Sequence, residues 1–375
     1  MANNWLEVDH GRLRHNLARL RALVGRSRIM LVVKANAYGA GAVPIAQTLA
    51  AEGIDGFAVA SVAEAVELRE HGIRGPITCL TYFAPAEVDA ILEHDLRPVV
   101  FTPAAAAWLS ERATATKRCV RAWAKVDTGL GRIGVPFAEA PDFVRHIVGL
   151  PHLEIEGLLS TMAEDPERNR LQVTRLTAVR AALPELGGRP LSLASTHGIL
   201  SLPESYLDVV RPGILLLGMV PGLERLDQAL VARAAVQPVV TWKARVAYVK
   251  RVPGGDRVGY GVRPPLGGAA VIATLAVGWA DGYPQTAQGS AKVLVRGRRC
   301  PVLAISANST MDDVTGAGNV AIDDEAVLVG RQGDEEIPAA DLARATGSFY
   351  RLLATIPGTV PRVGVDPDRA RRRSD

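Results

Sequence analysis

Short apolar runs alternate with segments of helical period along the first 220 or so residues. The runs are 28–33 (Arg-Ile-Met-Leu-Val-Val), 55–60, 76–81, 97–101, 120–126, 153–159, 190–195 and 207–210. Amphipathic segments lie between them at 11–23, 43–51, 62–71, 86–93, 104–113, 137–148 and 168–186. The runs are mostly apolar and several are β-branched, as parallel strands covered on both faces should be. An open doubly wound sheet gives the same alternation. Eight strands alternating with helices over this length favour a (β/α)8 barrel of the TIM type.

The texture changes near residue 230. The run Val236–Val246 alternates apolar and polar positions over its second half. Short β-type runs follow at 271–277, 291–296, 301–305 and 326–330, with turns at Pro253-Gly254-Gly255, Gly267-Gly268 and Arg296-Gly297-Arg298. A mostly β C-terminal domain is therefore expected after the α/β barrel. The expected division is 1–228 for the barrel and 229–365 for the β domain, with a junction at 220–230 and the first few residues free to pair with the β domain. Residues 366–375 read as a solvated, disordered basic tail.

Composition narrows the class. The chain is 48% hydrophobic, 22% charged and 5% aromatic, with a net charge of +4, which is ordinary globular composition. No apolar run is long enough to span a bilayer, and the N-terminus has no basic region followed by an apolar core. Cys79, Cys119 and Cys300 are far apart and have no metal-ligand spacing; they point to a reducing, cytoplasmic setting. The basic tail has no interleaved aromatics, so a nucleic-acid partner is not expected. Lysines occur only at 34, 117, 125, 243, 250 and 292, against a much larger number of arginines. A lysine inside an apolar stretch is therefore conspicuous.

In such barrels chemistry sits at the C-terminal ends of the strands. The first run ends in Lys34-Ala35-Asn36-Ala37-Tyr38-Gly39. The fifth ends in Lys125-Val126-Asp127-Thr128-Gly129-Leu130-Gly131-Arg132. The sixth reaches Ser160-Thr161, the seventh Ser195-Thr196-His197-Gly198, and the eighth Arg211-Pro212-Gly213-Ile214. Hydroxyls and backbone N–H groups at glycines can cradle a phosphate. A lysine in apolar surroundings has a lowered pKa and becomes a nucleophile towards a carbonyl, giving a Schiff base. A phosphorylated aldehyde held by lysine describes pyridoxal 5′-phosphate. Aldolases share this inventory without that cofactor.

Val32-Val33-Lys34-Ala35-Asn36-Ala37-Tyr38-Gly39 resembles the cofactor-lysine motif of the alanine racemase family. The similarity continues in order through Lys125–Gly134, Val210–Ile214, Val258-Gly259-Tyr260-Gly261, Gly278–Pro284, Met311-Asp312 and Val360-Pro361-Arg362. The resemblance implies that Lys34 carries pyridoxal phosphate and acts as one base, and that Tyr260, from the β domain of a second subunit of a homodimer, is the opposing acid/base. Two groups on opposite faces of Cα invert it without rotating the intermediate. A phenol can serve only where neighbours lower its pKa from about 10. The resemblance further implies that Arg211 bonds the pyridine nitrogen, which then stays unprotonated and makes the ring a weaker electron sink. Tyr38, Thr196, Gly213 and Ile214 would hold the phosphate. Arg132 would position the substrate carboxylate or the cofactor phenolic oxygen. Lys125 would stand beside it, carbamylated as in some members. Met311 and Asp312 would reach the site from the partner.

Several positions depart from the family pattern. Thr161 stands where a His is usual, and Trp279 where a Tyr lines the pocket and its entrance. Ala40, Leu217-Gly218, Ser195-Thr196-His197 and Gly358 also differ. His197 could replace the missing imidazole or be merely solvated. Lys125 could be a plain charge partner of Asp127, Tyr260 a structural residue and Trp279 interface packing. The leading expectation is a racemase acting on alanine or a similar small amino acid. A related pyridoxal enzyme with another substrate, or with aldol-type Cα chemistry in a specialised pathway, is the alternative, and a non-catalytic cofactor-binding protein the third reading.

Overall fold

The computed structural model describes residues 2–220, 226–347 and 351–366. The expected tail beyond 366 and part of the 220–230 junction lie outside the described residues. Eight parallel strands form a closed barrel: Arg28–Val32, Gly56–Val59, Ile77–Cys79, Arg97–Val100, Val120–Asp127, Leu153–Leu159, Leu191–Ser195 and Val209–Arg211. Each pairs with the next, and the eighth pairs with the first through Val209↔Arg28 and Val210↔Ile29. Every strand falls on one of the expected apolar runs. Residues 29–32, 56–59, 77–79 and 97–100 are all buried, which is why these strands read as unbroken apolar runs.

The helices begin where the sequence supplies caps. Thr102 accepts the Ala105 N–H ahead of Pro103–Thr116, and Asp165 accepts the Arg168 N–H ahead of Pro166–Ala181. Both helices have proline in the first turn, where its missing N–H costs nothing. Ser61 and Glu64 form a reciprocal capping box on Val62–Glu70.

The chain divides into two compact units, Leu13–Ala37 with Ala42–Gln237, and the segments up to Arg12, Tyr38–Gly41 and from Pro238 onward. The barrel unit thus runs past 228 to Gln237. Asn16, fully buried, explains this. Its amide donates to Leu216 O and Gln237 O and accepts the Gln237 N–H at 2.7 Å.

The second unit is a nine-stranded sheet. In spatial order its strands are 335–337, 325–332, 292–295, 298–305, 310–313, 270–275, 240–252, 4–9 and 362–365. The strand 325–332 also pairs with 240–252, which bends the sheet round on itself. The N-terminal strand Asn4–Asp9 alternates buried and half-buried positions and lies antiparallel to Val240–Val252, with Leu6 opposite Trp242. The strands 310–313, 335–337 and 362–365 are short and carry polar residues, so apolar patterning does not reveal them.

Candidate active site

Lys34 directly follows the first barrel strand. The chain then makes one left-handed turn: Ala35, Asn36, Ala37 and Tyr38 have φ of 51°, 53°, 51° and 56°. Left-handed backbone costs roughly 1–2 kcal/mol per L-residue, least for Asn, so the turn needs outside support. Two side chains supply it. Glu64 Oε1 accepts the Ala35 N–H at 2.7 Å, and Asn36 Oδ1 accepts the Ala42 N–H at 2.7 Å. Burial lowers the Lys34 pKa, Arg132 lowers it further, Glu64 opposes, and Arg211 adds to the lowering.

Lys125, 2% exposed, projects from the fifth strand and donates to Leu80 O at 2.7 Å. Burial first, then Arg211, Arg132 and Lys34, push its pKa down to about 7, against a raising effect of Asp127. Asp127 is not a dedicated partner for it. Its carboxylate accepts the N–H groups of Gly129, Leu130 and Gly131 and so shapes the loop that carries Arg132. Gly134 closes that loop at φ 134°, where a Cβ would stand 2.6 Å from Asp127 N. Arg132 itself is exposed.

Arg211 is buried at the end of the eighth strand. It donates to Ser192 Oγ, to Ser160 O at 2.6 Å and to Leu193 O at 3.3 Å. These acceptors are neutral, and burial lowers its pKa to about 10, so it stays charged at neutral pH. Arg132 and Arg211 thus lower the proton affinity of both Lys34 and Lys125, Lys34 also lowers that of Lys125, and a multiply charged anion would relieve this cationic field. Nearby, Thr196 Oγ1 accepts the Gly213 N–H at 3.4 Å, and the buried Ser195 Oγ has no partner. An orphaned hydroxyl beside a threonine and a glycine N–H suits a phosphate with its several acceptor oxygens. Ile214 is buried and Tyr38 half-buried.

Where an imidazole would be usual, Thr161 presents only its short side chain. Its loop is fixed by Gln172, which donates to Thr161 O at 2.8 Å and to Thr128 Oγ1 at 3.1 Å and accepts the Ala163 N–H. His197 is not a solvated loop residue. It lies buried in the short helix Thr196–Ile199, with Nδ1 3.1 Å from Ser201 Oγ. Glu64 and Gln172 were not singled out from sequence. The spacing Ser61-x-x-Glu64 is that of a capping box, but nothing local signals its reach to Ala35.

The β unit places the remaining residues differently. Tyr260 is 79% exposed and Trp279 52% exposed. In strand Thr310–Asp313, positions 310 and 312 face inward while Met311 and Asp313 are half-buried. Asp312 is 0% exposed, both its carboxylate oxygens lack partners, and burial raises its pKa well above the carboxylate range. Asp312 therefore lies buried within the β unit.

Residues 8–221 match the family model of the alanine racemase N-terminal domain, and residues 239–364 that of the C-terminal domain. The chain is 38% identical to the alanine racemase of Syntrophobacter fumaroxidans over 364 residues, covering 95% of this chain and 96% of that one. It is similar to the crystal structure of alanine racemase from the D-cycloserine producer Streptomyces lavendulae, with TM-score 0.90, 31% identity and 99% of both chains covered. It is also similar to the alanine racemase of Bartonella henselae with covalently bound pyridoxal phosphate, with TM-score 0.84, 25% identity and 97% and 100% coverage. Barrel, β domain and lysine-bearing strand end define a racemase of the pyridoxal-phosphate-dependent class. The chain belongs to the alanine racemase family.

Proposed function

We propose that the protein interconverts L- and D-alanine, or a similarly small amino acid, by moving the Cα proton between groups on opposite faces of the substrate. The observation that carries this reading is the barrel mouth, where Lys34 shares its field with Arg132, Arg211 and Lys125. Pyridoxal phosphate, when bound, acidifies the Cα–H by accepting the developing electron pair. Lys34, its pKa lowered, is the amine that holds the cofactor and the base on one face. Tyr260 of the partner subunit is the acid/base on the other; its exposure leaves it available to a second copy. Arg211 donates to the pyridine nitrogen from a buried position. Thr196, Gly213, Ile214 and Tyr38 hold the phosphate, joined by the unpartnered Ser195 hydroxyl. Arg132 pairs with the substrate carboxylate from the loop that Asp127 shapes. Lys125, with much of its amine neutral near pH 7, is the side chain suited to carbamylation, which would turn it into a counter-charge for Arg132. Met311 and Trp279 form part of the pocket wall. The unbridged Cys79, Cys119 and Cys300 support a reducing, cytoplasmic setting.

Trp279 and the missing imidazole at Thr161 favour one rival, a relative acting on a different amino acid or with other Cα chemistry. Incubation with L-alanine in deuterated solvent, followed by chiral chromatography and mass measurement, separates the two. Racemisation predicts D-alanine carrying solvent deuterium at Cα. Exchange without D-alanine favours the rival, and no exchange with any amino acid sinks both. Tyr260→Phe should lose at least ~100-fold in racemisation and keep the visible absorbance of the bound cofactor.

A further inference from the structure

The left-handed turn after Lys34 raises the question of what holds it. Glu64, on the helix after the second barrel strand, uses both carboxylate oxygens. Oε1 accepts the Ala35 N–H at 2.7 Å; Oε2 accepts the Ala60 N–H at 2.7 Å and the Ser61 N–H at 3.3 Å. Ala35 follows Lys34, and Ala60 follows the second strand, Gly56–Val59. One carboxylate therefore ties the end of the first strand to the end of the second. A helix cap needs only the Ser61 bond and the return bond from Glu64 N to Ser61 Oγ, 3.3 Å. The bond to Ala35 is additional and reaches across 29 residues of sequence.

We propose that Glu64 is a positioning residue for Lys34: it clips the left-handed turn to the neighbouring strand and fixes the direction in which the lysine amine is presented. The proposal rests on the reading of Lys34 as the cofactor lysine. Glu64 also supplies negative charge to a site otherwise dominated by cations. The charged groups acting on Lys34 are Arg132 from the loop after the fifth strand, Arg211 from the eighth strand and Glu64 itself. Removing the Glu64 charge leaves Lys34 among cations alone.

The test compares Glu64→Gln and Glu64→Ala with Ser61→Ala in the cofactor-loaded protein. Ser61→Ala removes half of the capping box and leaves the Ala35 bond. First, borohydride reduction and peptide mapping of the unsubstituted protein must place the pyridoxyl group on Lys34; a label elsewhere defeats the underlying reading whatever Glu64 does. Second, amide hydrogen exchange should accelerate at Ala35 by at least ~10-fold in Glu64→Ala, the equivalent of about 1.4 kcal/mol, and stay unchanged in Ser61→Ala. Third, the pH midpoint of the cofactor's visible band should move down in Glu64→Gln and Glu64→Ala, and not in Ser61→Ala. If all three variants lower Tm alike while Ala35 exchange and the midpoint stay at the unsubstituted values, Glu64 is a helix cap and the proposal is overturned.

Discussion

At the scale of single residues, the buried ionisable groups carry the sharpest tests. Lys125 is pushed from the lysine value of 10.5 to about 7, a difference of roughly 4–5 kcal/mol between its two protonation states. The sign follows from proton counts. Between about pH 7 and 10 the unfolded chain keeps that proton and the folded protein releases it, so stability rises with pH across this window. Below pH 7 the full penalty of a buried charge applies. Cofactor-free Lys125→Met should therefore exceed the unsubstituted protein in Tm at pH 6 and lose that advantage by pH 10, as thermal melts at stepped pH would show. Asp312 behaves in the opposite sense. Burial raises its carboxyl pKa well above that of the unfolded chain, which ionises above about pH 4, so its contribution falls as pH rises. Asp312→Asn, neutral throughout, should melt close to the unsubstituted protein at pH 4 and increasingly above it towards pH 8. An equal difference at both pH values would show that Asp312 is ionised and satisfied where it lies.

At the scale of elements, the left-handed turn and the Asp127 loop show how local rules are broken at a functional site. Asn36 is the residue of the turn best suited to positive φ, and its Oδ1 also accepts the Ala42 N–H. Asn36→Ala loses both, which should cost about 1–2 kcal/mol and speed the loss of cofactor on dialysis. Unchanged Tm and retention would mean the turn is held without it. The barrel was legible because its strands are buried on both faces and so read as apolar runs bounded by helices of regular period. The lysine was legible for the same reason: a charge at the end of an apolar run stands out. What patterning left out is polar and non-local. Gln172 pins the Thr161 loop from a helix, Asn16 extends the barrel unit to Gln237, and the strand containing Met311 and Asp312 takes its conformation from pairing with Ala270–Leu275. The burial of Asp312 was not legible for that reason. Its strand alternation, invisible in a four-residue polar run, turns it inward.

At the scale of the whole molecule, each element of the proposed mechanism belongs to one unit or the other, and an exposed tyrosine needs something to act upon. Tyr260 and Val262 are 79% and 99% exposed, with Tyr248 and Trp279 about half exposed on the same β unit. The proposed sharing of Tyr260 requires a second copy, to which these open apolar residues are accessible. A two-fold dimer with shared sites makes a quantitative claim about mixtures. Lys34→Ala chains lack one base and Tyr260→Phe chains the other, so each variant alone should be inactive. In a mixed dimer one site receives Lys34 from the Tyr260→Phe chain and Tyr260 from the Lys34→Ala chain, and is complete; the other site lacks both. Random re-assortment makes about half of the dimers mixed, so an equimolar mixture refolded together should recover roughly one quarter of the unsubstituted specific activity. Subunit exchange would also make that recovery depend on concentration and on time after mixing. Were Lys34 and Tyr260 to act within one chain, no mixture of the two variants could contain a complete site, and activity would stay at the sum of the separate backgrounds.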